Sequence, residues 1–139
     1  MYVTDTHSFL WFLTKDERLG SKAKEIFRLC DQGREIIIIP AIVLLECLYI
    51  CERKKIDLKF KEILLKMKNT FNYITYPLDE KIVLECQNLK QFSDLHNRIV
   101  VTTAKLLNAK LITKDEKIKK SKLVKTVWYF SIFISSFAS

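Results

Sequence analysis

Residues 35–46 read Glu35-Ile36-Ile37-Ile38-Ile39-Pro40-Ala41-Ile42-Val43-Leu44-Leu45-Glu46, and the change of pattern at Pro40 decides the fold class. Four consecutive isoleucines, β-branched and without polar alternation, suit a strand buried on both faces, as in a parallel sheet covered by helices. Pro40 stops that run and can open a helix, because the first helical position needs no bonded N–H. The residues that follow, Ala41 to Glu52, read as a helix apolar on nearly every side. A lone carboxylate is costly to bury, so Glu46 within that helix calls for a cation, a proton or an edge open to solvent.

Outward from this unit the alternation of strand and helix recurs. Val3 and its neighbours form a short apolar start that ends in Thr4-Asp5. Leu111-Ile112-Thr113 and Thr126-Val127-Trp128-Tyr129 read as two further strands, and Tyr73-Ile74-Thr75-Tyr76 as a fifth candidate. Helices are predicted over Ser21–Cys30, where Ala23, Ile26, Phe27 and Cys30 share a face and Ser21 is placed to cap. Others are predicted around Phe60, Ile63, Leu64 and Met67, over Ile82–Leu89 and over Asp94–Leu107. Strands alternating with helices give an α/β fold: a single compact domain with a central, mostly parallel sheet of four to five strands and helices on both faces.

Composition agrees. A chain of 139 residues fits one domain. With 49% hydrophobic and 29% charged residues but 2 Gly and 2 Pro, disordered and linker-rich architectures are excluded. The net charge of +8 favours a polyanionic partner, nucleic acid or an anionic membrane surface. No apolar run reaches the roughly 18 residues of a membrane span. The start, Met1-Tyr2-Val3-Thr4-Asp5, has no secretory pattern, so a cytoplasmic protein is expected. Cys30, Cys47, Cys51 and Cys86 form no C-x-x-C pair and read as reduced, mostly buried residues rather than a zinc or redox centre.

Three acids are hard to explain as surface. Asp5 and Asp115 each follow a strand at its carboxyl end, where open α/β sheets build their sites, and Glu46 interrupts the apolar helix. If they converge, their repulsion is best relieved by a hard divalent cation, magnesium or manganese. Such an ion can activate water and stabilise charge on a transferring phosphoryl group. The bland alternatives stay open: Asp5 as a helix cap, Asp115 as a turn residue, and Glu46 paired with Arg98 or a lysine.

Four segments together resemble the PIN domain family, specifically VapC-type toxins. These are Asp5-Thr6-His7-Ser8-Phe9-Leu10-Trp11, the Pro40-x5-Glu46 helix, Leu95-His96-Asn97-Arg98-Ile99-Val100-Val101-Thr102-Thr103-Ala104, and Leu111-Ile112-Thr113-Lys114-Asp115-Glu116-Lys117-Ile118. They occur in the family's order and spacing from about residue 2 to Trp128. The resemblance implies a magnesium- or manganese-dependent endoribonuclease, a homodimer, and a cognate antitoxin whose tail occupies the acidic groove. Carried over, Asp5, Glu46 and Asp115 match three of four metal-site acids. At the fourth, where the family typically reads His-Asp-Arg, this chain has His96-Asn97-Arg98. Asparagine offers a carbonyl oxygen but neither charge nor a base. Asp94 lies three residues earlier, on the same face if both are helical, and is either a substitute ligand or an N-cap. The domain is expected over 1–128, with an apolar extension, 129–139, to which no role is assigned.

Two lysine-rich stretches, residues 105–125 and 53–68, suggest phosphate contact or simply a solvated surface. Lys114 and Lys117 flank a candidate acid, and Arg98 either contacts phosphate or orients a carboxylate. His7 and His96 are expected to pack or hydrogen-bond rather than catalyse. The competing function is a domain of the same fold that binds RNA or protein without efficient cleavage, for which Asn97 is the main support.

Overall fold

The computed structural model describes residues 1–129. Chain order is β1 (Tyr2–Thr4), α1 (Thr6–Leu13), α2 (Ser21–Asp31), β2 (Ile37–Pro40), α3 (Ala41–Lys54), α4 (Phe60–Thr70), β3 (Tyr73–Tyr76), α5 (Glu80–Cys86), α6 (Leu95–Leu106), β4 (Lys110–Ile112), α7 (Glu116–Ser121) and β5 (Thr126–Val127). The five strands form one sheet in the order β3-β2-β1-β4-β5, and every pairing is parallel. The chain therefore builds outward from β1 to β3 on one side and returns to add β4 and β5 on the other. Between β1 and β4 lies a switch point, the place where such sheets open a crevice at their carboxyl ends.

Burial explains the strands. Val3, Ile37, Ile39, Leu111 and Ile112 are wholly buried, as unalternating β-branched and leucine runs between two helical layers should be. The helix α6 packs on β1, β2 and β4, and α3 packs on β2 and α1. A ring cluster seals the α1 side, with Phe12 stacked on Phe27 at 4.6 Å and Trp11 edge-on to Trp128 at 6.0 Å. Gly20 is required there: a Cβ at this position would run into the Trp128 and Tyr129 carbonyl oxygens, which accept the Ser21 and Lys22 amides that open α2.

Several expectations need correcting. The helix α3, apolar on nearly every side in sequence, buries one stripe, Val43, Cys47 and Cys51, while Leu45 and Tyr49 are 59% and 57% exposed. The helix expected over Ile82–Leu89 is α5 and stops at Cys86. Leu89 still inserts into the core from the turns that follow. The last strand ends at Val127 rather than Tyr129, which takes a left-handed conformation at φ 55°. All four cysteines are free, with Cys86 half-buried. Among the described residues no helix is long and apolar enough to cross a membrane. The expected extension, apart from Tyr129, lies outside the described residues.

Candidate active site

Asp5 leaves β1 in an extended conformation and caps α1, its carboxylate accepting the Ser8 amide at 3.0 Å. Its own amide donates to the Ile112 carbonyl across the switch point at 3.2 Å, which fixes it relative to β4. Asp115 is built in the same manner beyond β4. It caps α7 by accepting the Ile118 amide at 3.0 Å, while its amide donates to Thr113 Oγ1 at 3.1 Å. Asp115 is thus a helix cap rather than a simple turn residue. Its second carboxylate oxygen meets Asn97 Nδ2, which donates to it at 3.4 Å.

Glu46 reaches the same place from the second turn of α3. One oxygen accepts the Thr6 hydroxyl and the other lies 3.1 Å from His96 Nδ1. Pairing with Arg98 or a lysine is not what the structure shows. Arg98 instead donates from Nε to the Phe92 carbonyl at 2.6 Å and is not among the residues lining the crevice. Asp94 is extended rather than helical. It caps α6 by accepting the His96 amide at 2.8 Å and stands 3.3 Å from His96 Nδ1. His96 is therefore held between two carboxylates, and His7 lies 5.5 Å from the Trp11 ring.

These side chains line one groove of about 510 Å³: Asp5, Glu46, Asp94, Asn97 and Asp115, joined by Glu116 and Lys114. The Lys114 ammonium is 5.1 Å from the centre of the Trp11 ring, a cation–π contact that holds it at the groove wall. Lys117 lines an adjoining hollow of about 440 Å³ together with Asp94, Asn97 and Asp115. Sequence reasoning passed over Glu116 and set His96 among the packing and hydrogen-bonding residues. Adjacency to Asp115 and Asn97 was the available signal for both.

Acidic side chains predominate in the groove, with Lys114 at its wall. Enclosure by protein pushes the Asp5 carboxyl above its ordinary range, against the opposing help of hydrogen bonds from Ser8 and Thr113 and the charge of His7. Among the described residues neither Asp5, Glu46 nor Asp115 has a lysine or arginine ion pair. A set of hard oxygen donors with no lysine or arginine paired to them fits a divalent cation by its chemistry. The fit is one of donor type rather than of a finished cage, since among the described residues no three acid, histidine or cysteine side chains close around a single point.

Solved structures share this architecture. The VapBC2 complex of Rickettsia felis bound to a promoter DNA fragment matches with a TM-score of 0.68 at 18% identity, over 91% of this chain and 98% of that one. A toxin–antitoxin complex from Klebsiella pneumoniae matches at 0.58 and 17%, over 86% and 90%. The FitAB structure bound to the IR36 DNA fragment matches at 0.60 and 12%, over 91% and 94%. At these identities the likeness shows the fold alone. A comparison with curated proteins finds no match. The family model of the PIN domain matches residues 2–122 and so spans all the residues that line the acidic groove; the chain belongs to the PIN domain family.

Proposed function

We propose that this chain is a divalent-cation-dependent endoribonuclease, using magnesium or manganese, and the toxin of a toxin–antitoxin pair. The observation that carries this reading is the groove in which Asp5, Glu46, Asn97 and Asp115 come together at the carboxyl ends of β1 and β4. Support comes from the family, whose members are in general nucleases, and from neighbours of the same fold that are toxin–antitoxin complexes.

Asp5, Glu46 and Asp115 would hold the cation, with the Asn97 carbonyl oxygen or Asp94 as a further donor. When bound, such a cation favours ionisation of a water nucleophile and offsets the charge that develops on the phosphoryl group. The chain's own residues prepare the place. The caps of α1 and α7 fix Asp5 and Asp115, Thr6 and His96 fix Glu46, and Lys114 and Lys117 stand where flanking phosphates of the RNA would lie. Arg98 already bonds the Phe92 carbonyl, so in this reading its part is to brace the loop before α6. The functional domain is residues 1–128 and acts in the cytoplasm. The exposed apolar side chains Leu45 and Tyr49 of α3 and Val83 and Leu84 of α5 support association with a second copy or an antitoxin.

Cleavage of labelled RNA at low salt, with magnesium, manganese or EDTA, tests the proposal. Asp5→Ala, Glu46→Ala and Asp115→Ala should each abolish EDTA-sensitive cleavage while the fold persists. Full activity in all three would refute it. One observation favours a second reading, a module that binds RNA without consuming it: the amide of Asn97, not a carboxylate, faces Asp115. Retention of RNA without turnover, under every metal condition, would select that reading.

A further inference from the structure

A second groove lies at the other end of β4. It has a volume of about 990 Å³ and is lined by Lys105 and Asn108 at the end of α6, Lys110 at the start of β4, Lys119 of α7, and Lys122 and Lys125 before β5. Among the described residues no acidic side chain lines it. All five lysines are exposed, and none has a carboxylate within ion-pair distance among the described residues. Lys110 also helps to lower the carboxyl of Glu35. Five ammonium groups converging on one concave surface repel one another, and a polyanion is the natural relief.

Position indicates which polyanion. The acidic groove opens at the carboxyl ends of β1 and β4, and the lysine groove at the amino ends of β4 and β5. The three residues of β4 separate the two ends by roughly 10 Å along the strand. A chain of phosphates entering the acidic groove past Lys114 and Lys117 can continue along α7, whose single acid is Glu116 at its start, to Lys119, Lys122 and Lys125. The geometry points to the lysine groove as a binding site for the single-stranded RNA backbone that flanks the cleaved bond. This rests on the nuclease reading above for the identity of the polyanion. It predicts that RNA is held at two places, one acidic and cation-dependent, the other basic and cation-independent.

The test measures binding of a labelled single-stranded RNA, long enough to cross the domain, in EDTA, so that neither cleavage nor a divalent cation contributes. The variant Lys105→Gln/Lys122→Gln/Lys125→Gln is compared with Lys61→Gln/Lys66→Gln/Lys68→Gln on α4, which removes the same charge elsewhere from exposed positions. The groove variant should weaken binding at least tenfold and reduce the steepness of log K against log salt by about 2, from roughly 0.7 per phosphate contact on single strands. The arginine version of the groove variant should bind as the parent does. Equal losses in the groove and α4 variants, or an unchanged salt slope, would overturn the proposal. The nuclease reading is judged separately, because cleavage is read with metal present. RNA cut normally by a groove variant that binds unchanged sinks only the groove. RNA never cut but bound through the groove sinks only the nuclease.

Discussion

Asn97→Asp would set two carboxylates where the structure has an amide donating to a carboxylate. The Asn97 Nδ2 to Asp115 Oδ2 separation is 3.4 Å. Two like charges at that distance repel by about 1 kcal/mol in water and about 5 kcal/mol at an effective dielectric of 20. Both residues are half-buried, so the cation-free variant should lose an amount between these limits, besides the lost hydrogen bond. At this chain length each kcal/mol corresponds to roughly 3–5 °C in Tm. The sharing of one proton by the pair raises an apparent pKa, so the folded variant binds a proton more tightly than the unfolded chain. Its deficit is therefore small in acid and grows as pH rises through the carboxylate range. A divalent cation reverses the sign, because a fourth hard anionic donor binds it better than an amide. Thermal unfolding followed by the fluorescence of Trp11 and Trp128, in EDTA and in magnesium or manganese, reads both effects. The variant should melt below the parent in EDTA, gain more from the cation, and cut RNA faster with it. A variant as stable as the parent in EDTA, with no larger gain from either metal, would refute the idea that residue 97 and Asp115 share a cation site.

Asp5→Asn keeps the cap acceptor but removes a charge that enclosure disfavours, so at pH 7 without metal it should stabilise the fold by about 1–3 kcal/mol while abolishing cleavage. The folded carboxyl is raised above its unfolded value of 3.8, so the parent's deficit is complete above the raised value and disappears below 3.8. Urea unfolding across that range should show the two proteins converging in acid, and a gap that persists there would be contrary evidence. Gly20→Ala should cost about 1–3 kcal/mol of stability, read from urea unfolding, because its Cβ meets backbone carbonyl oxygens; a neutral substitution would show that the α2 entrance is looser than described. Burial pushes the Cys47 thiol up strongly and that of Cys30 to about 11, so at pH 8 both should resist a thiol reagent until the protein unfolds. Rapid labelling of Cys47 in folded protein, read by mass spectrometry, would contradict the buried stripe of α3.

The fold was legible where one physical requirement acted alone. The isoleucine run reads as a strand covered on both faces, which holds for Ile37 to Ile39 while Ile36 lies before the strand and is 39% exposed, and β2 and α3 meet at Pro40 as that reading requires. Where two requirements competed, sequence was a poorer guide. Ala41 to Cys51 is apolar on nearly every side, so periodicity cannot say which face is buried, and Leu45 and Tyr49 face outward. Leu89 is core although its helix has ended, since a turn can deliver a side chain as well as a helix can.

The acids carry a different lesson. From sequence, a ligand competes with a helix cap at Asp5 and Asp94 and with a turn residue at Asp115. The structure realises every cap: Ser8, Ile118 and His96 each donate an amide to the acid that precedes them. At Asp115 the cap uses one carboxylate oxygen, and the other faces the groove and Asn97. Capping fixes the carboxylate's rotation at a helix start, and the parallel strand before it fixes the position of that start, so together they aim the free oxygen. The cap is then the means by which a short, rigid side chain is presented at a switch point. What sequence alone could not supply was the distance between the three acid-bearing elements, which depends on how α3, α6 and the sheet pack rather than on any local pattern.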